Sequence, residues 1–234
     1  MAAANETKNG RAATLRGLTL AVLVLGSLWG VAEVVLNDTI KAVEFPFRAG
    51  ALVGFGMLVM GALLGFARRP LALLAIPLVA VSIKQLVVPI AGATVLCKAN
   101  SCIAVLLQAT VLAGAAGFAL EAIQRRSAAR VAAGAGAGLL SAVPFYFVGL
   151  AVAPCNYLLS FDRAGGFAAF MVQEGLVWAA FAAVLFPAGY WIGVRVREPL
   201  GALEARRPAV YCGTALGVTV CCWIGAALAI AIGA

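Results

Sequence analysis

Apolar residues run along this chain in long stretches, and most charged residues lie in the short segments between them. Seven stretches can be placed, near 14–36, 49–67, 71–92, 102–124, 130–154, 167–194 and 209–233. Each is long enough for a helix to cross the hydrocarbon core of a bilayer, which takes roughly 20 apolar residues. The pattern predicts an all-α, polytopic transmembrane helix bundle of about seven helices. A short basic segment with Lys8, Arg11 and Arg16 precedes the first run, as in a signal peptide. That run is too long for one and lacks a clear small-residue cleavage site, so an uncleaved first span is expected. Residues 1–13 then form an N-terminal tail, and 14–234 a single transmembrane domain.

Composition agrees: 64% of residues are apolar and 11% charged, with a mean hydropathy of +1.06. A soluble domain is about half apolar and about a quarter charged, and seven spans leave no room for one here. The net charge of +8 does not form a nucleic-acid patch, because the cations lie in small clusters between apolar runs. Lys8, Arg11, Arg16, Arg68, Arg69, Arg125, Arg126, Arg130, Arg195, Arg197, Arg206 and Arg207 fall on one side of the expected bundle. Only Lys41, Arg48, Lys98 and Arg163 fall on the other. The positive-inside rule therefore places the N-terminus in the cytoplasm and the C-terminus outside. A bacterial inner (plasma) membrane is the expected location.

Charges within spans carry the most information, since burying one in lipid costs several kcal/mol. Glu33, Lys84 and Glu174 are such charges, accompanied by Gln85, Gln108 and Gln173. At about 1.5 Å of rise per residue, Glu33 and Lys84 lie roughly 22–25 Å up from the cytoplasmic side. By the same measure Gln108 and Glu174 lie about 9–12 Å down from the outer side. All fall in one outer layer. Gly26, Trp29, Gly30, Glu33 and Asn37 share a stripe of the first span, and Glu174 and Trp178 share a face of the sixth. The expectation is a polar pocket reached from outside, with the competing reading of snorkelling side chains or a single structural ion pair. Pro144 lies at the same depth and is followed by Phe145, Tyr146 and Phe147, an aromatic wall for such a pocket.

Cysteine gives a second clue. Cys97, Cys102 and Cys155 belong to the outer side, and Cys212, Cys221 and Cys222 to the last span. A Cys97–Cys102 bridge would suit an oxidising compartment, and thiol–disulfide exchange at that pair is an alternative function. The chain has no His, which excludes His-based metal and haem sites and the commonest general base. Adjacent Cys221 and Cys222 point to different helix faces and make a poor soft-metal site. No phosphate loop, paired-Asp motif or nucleophile elbow is present. No catalytic residue, metal or cofactor is expected.

The segment Gly26-Ser27-Leu28-Trp29-Gly30-Val31-Ala32-Glu33, with Pro46-Phe47-Arg48 and the glycine-rich second span, resembles a group of bacterial multi-pass membrane proteins. Those are similar in turn to the substrate-binding subunits of energy-coupling-factor vitamin transporters, which usually have six spans. The resemblance implies a helical bundle that captures a scarce solute from outside. It also implies a partner transmembrane subunit and ATPases on other chains. The sequence thus points to a solute-binding subunit or carrier for a small polar or cationic solute. Glu33, Lys84 and Glu174 would contact the ligand, Gln85, Gln108 and Gln173 would orient it, and Trp29 and Trp178 would pack on it. A non-catalytic scaffold subunit of a larger membrane complex is the other alternative.

Overall fold

The structure is a computed structural model that describes the backbone of residues 2–233 and the side chains of residues 15–233, apart from those at positions 38, 41 and 97. Seven helices are long and apolar enough to cross a membrane: α1 (Leu15–Leu36), α2 (Arg48–Ala67), α3 (Pro70–Ala91), α4 (Ala99–Arg125), α5 (Ser127–Val152), α6 (Gly166–Arg206) and α7 (Pro208–Ala231). No strand occurs among the described residues. The protein is a multi-pass membrane protein built as an all-α bundle. Boundaries read from apolar runs hold within a few residues except at α6, which continues to Arg206 rather than stopping near 194. Its last turns carry Arg195, Arg197 and Glu198, so the helix continues as a polar extension beyond its apolar stretch. At the other end of the chain the helix of α1 extends back to Ala2 through most of the expected tail.

Connections that are shortest between α2 and α3, α4 and α5, and α6 and α7 turn each helix back against its neighbour. Between α2 and α3 the turn is made at Arg68, whose left-handed backbone (φ 54°) ends α2 with its N–H on the Leu64 carbonyl. Arg130 ties α4 to α5: its guanidinium donates to the carbonyls of Ile123 and Gln124 at the end of α4.

Helix α2 is the most buried span and packs chiefly on α6. Small residues make that contact possible. A methyl group on Gly61 would run into the Phe186 carbonyl, and one on Gly189 into the Leu58 carbonyl. With no apolar gain between helices in lipid, backbone approach of this kind supplies the van der Waals contact that holds a bundle together. Gly26 and Gly30 do the same for α1 against α3: a Cβ on Gly30 would stand 2.8 Å from Ile83 Cβ. That seam brings Glu33 to the level of Lys84. Trp29, Met57, Met60, Leu63, Leu112, Phe170 and Phe186 fill the interior. By contrast α7 is peripheral, with most of its surface open to the surroundings. It is pinned to α1 where the Trp223 indole donates to the Ser27 hydroxyl at 3.1 Å.

Candidate functional site

All three intramembrane charges lie where a helix departs from α geometry. Glu33 belongs to a π-helical turn, Ala32–Leu36, and Glu174 to a second, Met171–Gly175. These are the two π segments among the described residues. Such turns are rare, and they are frequent at functional sites because they redirect side chains and free backbone groups. Lys84 ends the α-helical part of α3 (Ala75–Lys84), and Gln85 and Leu86 form the break before Val87–Ala91. Pro89 accounts for the break: lacking an N–H, it cannot bond the Gln85 carbonyl four residues back. Val88 N–H takes that carbonyl instead at 3.0 Å, tightening the turn.

The two glutamates are built alike. Trp29 Nε1 donates to Glu33 Oε1 at 3.2 Å, and Trp178 Nε1 donates to Glu174 Oε2 at 3.2 Å. In each case the indole lies four residues away, one turn further from the end of the bundle to which Glu33 and Glu174 belong. Because α1 and α6 run in opposite directions, Trp precedes Glu in one and follows it in the other. The second oxygens differ. Glu33 Oε2 accepts from Lys84 Nζ at 2.7 Å in a pair whose side chains are only 7% and 3% exposed. Glu174 Oε1 accepts from the hydroxyl of Tyr157, in the connection between α5 and α6.

Glu33 and Glu174 line one cavity of about 180 Å³ together with Gln108 and Trp178. Its remaining walls include Asn100, Val105, Phe145 and Tyr157, and Arg48 stands at its rim. The Phe145 ring packs on Trp178 with centroids 5.2 Å apart, and Phe170 packs on both. The expected aromatic wall is therefore present through Phe145, whereas Phe147 is turned outward. Two residues of the lining carry acceptors without a hydrogen-bond partner, Gln108 Oε1 and Asn100 Oδ1; both atoms are buried beside glycines, Gly56 and Gly149, rather than open to the cavity. Gln108 is 2% exposed. An unpaired buried carbonyl costs about 1–3 kcal/mol, so an occupant that donates hydrogen bonds is favoured where either amide can rotate toward it. Glu33 is paired with Lys84, and Arg48 lines the same cavity as Glu174, so the site carries charge of both signs.

Glu33 also borders a second hollow, of about 200 Å³, with Lys84, Lys98, Val87 and Ile230. The Glu33–Lys84 pair thus stands in the wall between two hollows. Of the eight expected ligand contacts, Glu33, Gln108, Glu174 and Trp178 line the first cavity. Trp29 is fully buried behind Glu33 and acts on it through the indole rather than on an occupant. Lys84 reaches the site only through Glu33. Gln85 lies outside the lining, with its amide directed at Cys102 Sγ (3.5 Å) and its own carbonyl unpartnered. Gln173 is exposed: neighbouring positions on a helix diverge, and Glu174 occupies the inward direction.

Cys102 is a free, buried thiol; the Cys97 side chain, the other half of the expected bridge, lies outside the described residues. No cluster of three or more metal-ligating side chains occurs among the described residues. Sequence reasoning missed Asn100 and Tyr157. Asn100 lies in the first turn of α4 and holds Cys155 Sγ at 2.9 Å through its amide N–H. Burial, followed by the hydrogen bond to Glu174 and the charge of that carboxylate, holds the Tyr157 hydroxyl above the usual phenol range. No family model, curated protein or solved structure matches the chain.

Proposed function

We propose that this protein is a membrane solute-binding subunit or carrier, and that it takes a small solute bearing a protonated amine into the cavity between Glu33 and Glu174. One observation carries the reading. Carboxylates from two antiparallel helices, each aimed by a tryptophan and each on a π turn, meet at a cavity whose buried Gln108 carbonyl lacks a donor. An ammonium group supplies donors to Glu174 and, once their amides rotate toward it, to Gln108 and Asn100, and the rings of Phe145 and Trp178 in the lining attract a cation further. Arg48 at the rim suits a carboxylate on the same solute, so a zwitterion fits as well as a simple amine. The excess of arginine and lysine in the loops at the opposite end supports an orientation with this end of the bundle outside the cell and the N-terminus in the cytoplasm. The resemblance to energy-coupling-factor substrate-binding subunits extends the proposal: transport is completed by a partner transmembrane subunit and ATPases.

The test is a thermal-shift and equilibrium-binding screen of the purified full chain in nanodiscs. Amino acids, quaternary amines and heterocyclic cations are compared with simple carboxylates. The expected result is stabilisation by one amine-bearing class that is lost in Glu174→Gln. Stabilisation by none of them, or equal binding by Glu174→Gln, overturns the assignment.

A further inference from the structure

A second recess lies at the opposite, arginine-rich end of the bundle. Where α1, α2, α6 and α7 come together, a crevice of about 250 Å³ is lined almost wholly by apolar groups, among them Leu20, Val24, Phe66, Val196, Leu203 and Val218. Toward the helix ends it adjoins a wider hollow of about 530 Å³ that includes Arg16, Arg69, Arg197, Gly201 and Glu204. Phe66 belongs to both. Along α6 the two alternate by helical face: Val196, Leu200 and Leu203 border the crevice, and Arg197, Gly201 and Glu204 the hollow. An apolar slot and a basic basin thus share one lining.

The charges of the basin are unevenly matched. Arg16 Nε lies 3.4 Å from Glu204 Oε1, which uses the carboxylate of the basin. Arg69 and Arg197 have no acidic partner among the described residues. Two unpaired guanidiniums presented together favour a phosphate, whose oxygens accept their forked N–H groups. Helix α7 starts in the same hollow, at Pro208, so its positive dipole end adds to the attraction.

We infer that this recess is a binding site for an anionic diacyl phospholipid. The phosphate lies between Arg69 and Arg197, and an acyl chain enters the crevice beside Phe66 and Val218. A free anion has no use for the crevice, and a neutral lipid has none for the two guanidiniums. Basic recesses between spans on the positively charged side of a membrane protein bind acidic head groups for this reason. The bound lipid fills the gap that separates α7 from α2 and fastens the peripheral helix to the bundle. The solute site at the other end plays no part in the argument, and either can fail without the other.

The test is native mass spectrometry of the full chain, exchanged from detergent into mixed micelles containing equal phosphatidylglycerol and phosphatidylcholine. The expected result is one retained phosphatidylglycerol, and a preference over phosphatidylcholine that falls about thirtyfold in Arg69→Gln/Arg197→Gln, roughly fivefold for each guanidinium. In Ala215→Trp, which fills the crevice, retention of both lipids is expected to fall. Should the double variant misfold, salt on the wild type serves instead, since 1 M NaCl is expected to screen the preference. Equal retention of the two lipids by the wild type overturns the site. So does an unchanged preference in the folded double variant or at high salt. Displacement of the lipid by millimolar inorganic phosphate alone also overturns it, by making the recess a soluble-anion site.

Discussion

Lys84 and Glu33 lie 51 residues apart in the chain, on different helices, and they meet at 2.7 Å with both side chains shut away from the surroundings. Glu33 accepts a second hydrogen bond from Trp29, so the carboxylate is fully engaged. Removing one partner of such a pair leaves an uncompensated buried charge, which costs about 3–5 kcal/mol. Lys84→Met is therefore expected to lower the unfolding free energy by about that amount. Glu33→Gln/Lys84→Met, which removes both charges, is expected to recover most of the loss. Denaturation of the two variants in detergent checks this. Equal stability of Lys84→Met and wild type would show that the pair contributes nothing.

Tyr157 makes an alkaline prediction. Burial and the Glu174 carboxylate keep its hydroxyl protonated past the ordinary phenol range of about 10. In the unfolded chain the hydroxyl ionises normally, so above that pH the folded state holds a proton that the unfolded state has lost. Stability from this group is thus complete below pH about 10 and declines as the pH rises further. Tyr157→Phe removes that part of the slope. Parallel stability curves for the two proteins between neutral pH and strong alkali would refute the assignment.

Spans were legible because their physics is local. A run of apolar residues flanked by arginines leaves few alternatives, and even the polar stripe Trp29-Gly30-Glu33 could be read at helical spacing. Depth followed from rise per residue, so the shared level of Glu33, Lys84, Gln108 and Glu174 was also accessible. Direction was less so. The π turns at Glu33 and Glu174 leave no mark in composition, and they decide where those carboxylates point. Gln85 and Gln173 were grouped with the site by depth alone, and the break in α3 and the divergence of adjacent residues send them elsewhere. Asn100 and Tyr157 escaped because both fall outside the apolar stretches, Asn100 just before the run that starts at 102 and Tyr157 in the segment after 154.

The matched tryptophans separate two effects of one substitution. Trp29 is fully buried and its N–H serves an occupied carboxylate, so Trp29→Phe leaves a buried acceptor short of a donor. The expected cost is about 1–3 kcal/mol of stability. Trp178 serves a carboxylate that faces the cavity. Trp178→Phe keeps the aromatic packing on Phe145 but frees Glu174 to rotate, so solute affinity is expected to fall about tenfold, or roughly 1.4 kcal/mol. Thermal denaturation and solute binding on both variants distinguish the cases. Identical profiles would mean that the two glutamates do not play different parts.

Gln108 offers the sharpest separation of fold from function. Its side-chain carbonyl is buried and has no donor, a state that stability alone would not favour. Gln108→Leu has similar length, removes the unpaired acceptor and adds apolar surface in a wall that already includes Val105 and Phe145. If the carbonyl is held ready for a ligand, the variant is expected to be as stable as wild type or more stable, by up to about 1 kcal/mol, and to bind solute at least tenfold more weakly. A structural role for the amide predicts the opposite: lost stability, with binding lost only in proportion to unfolding. Melting temperature and affinity measured on the same preparation separate these outcomes, because only a ligand-facing acceptor lets one rise while the other falls.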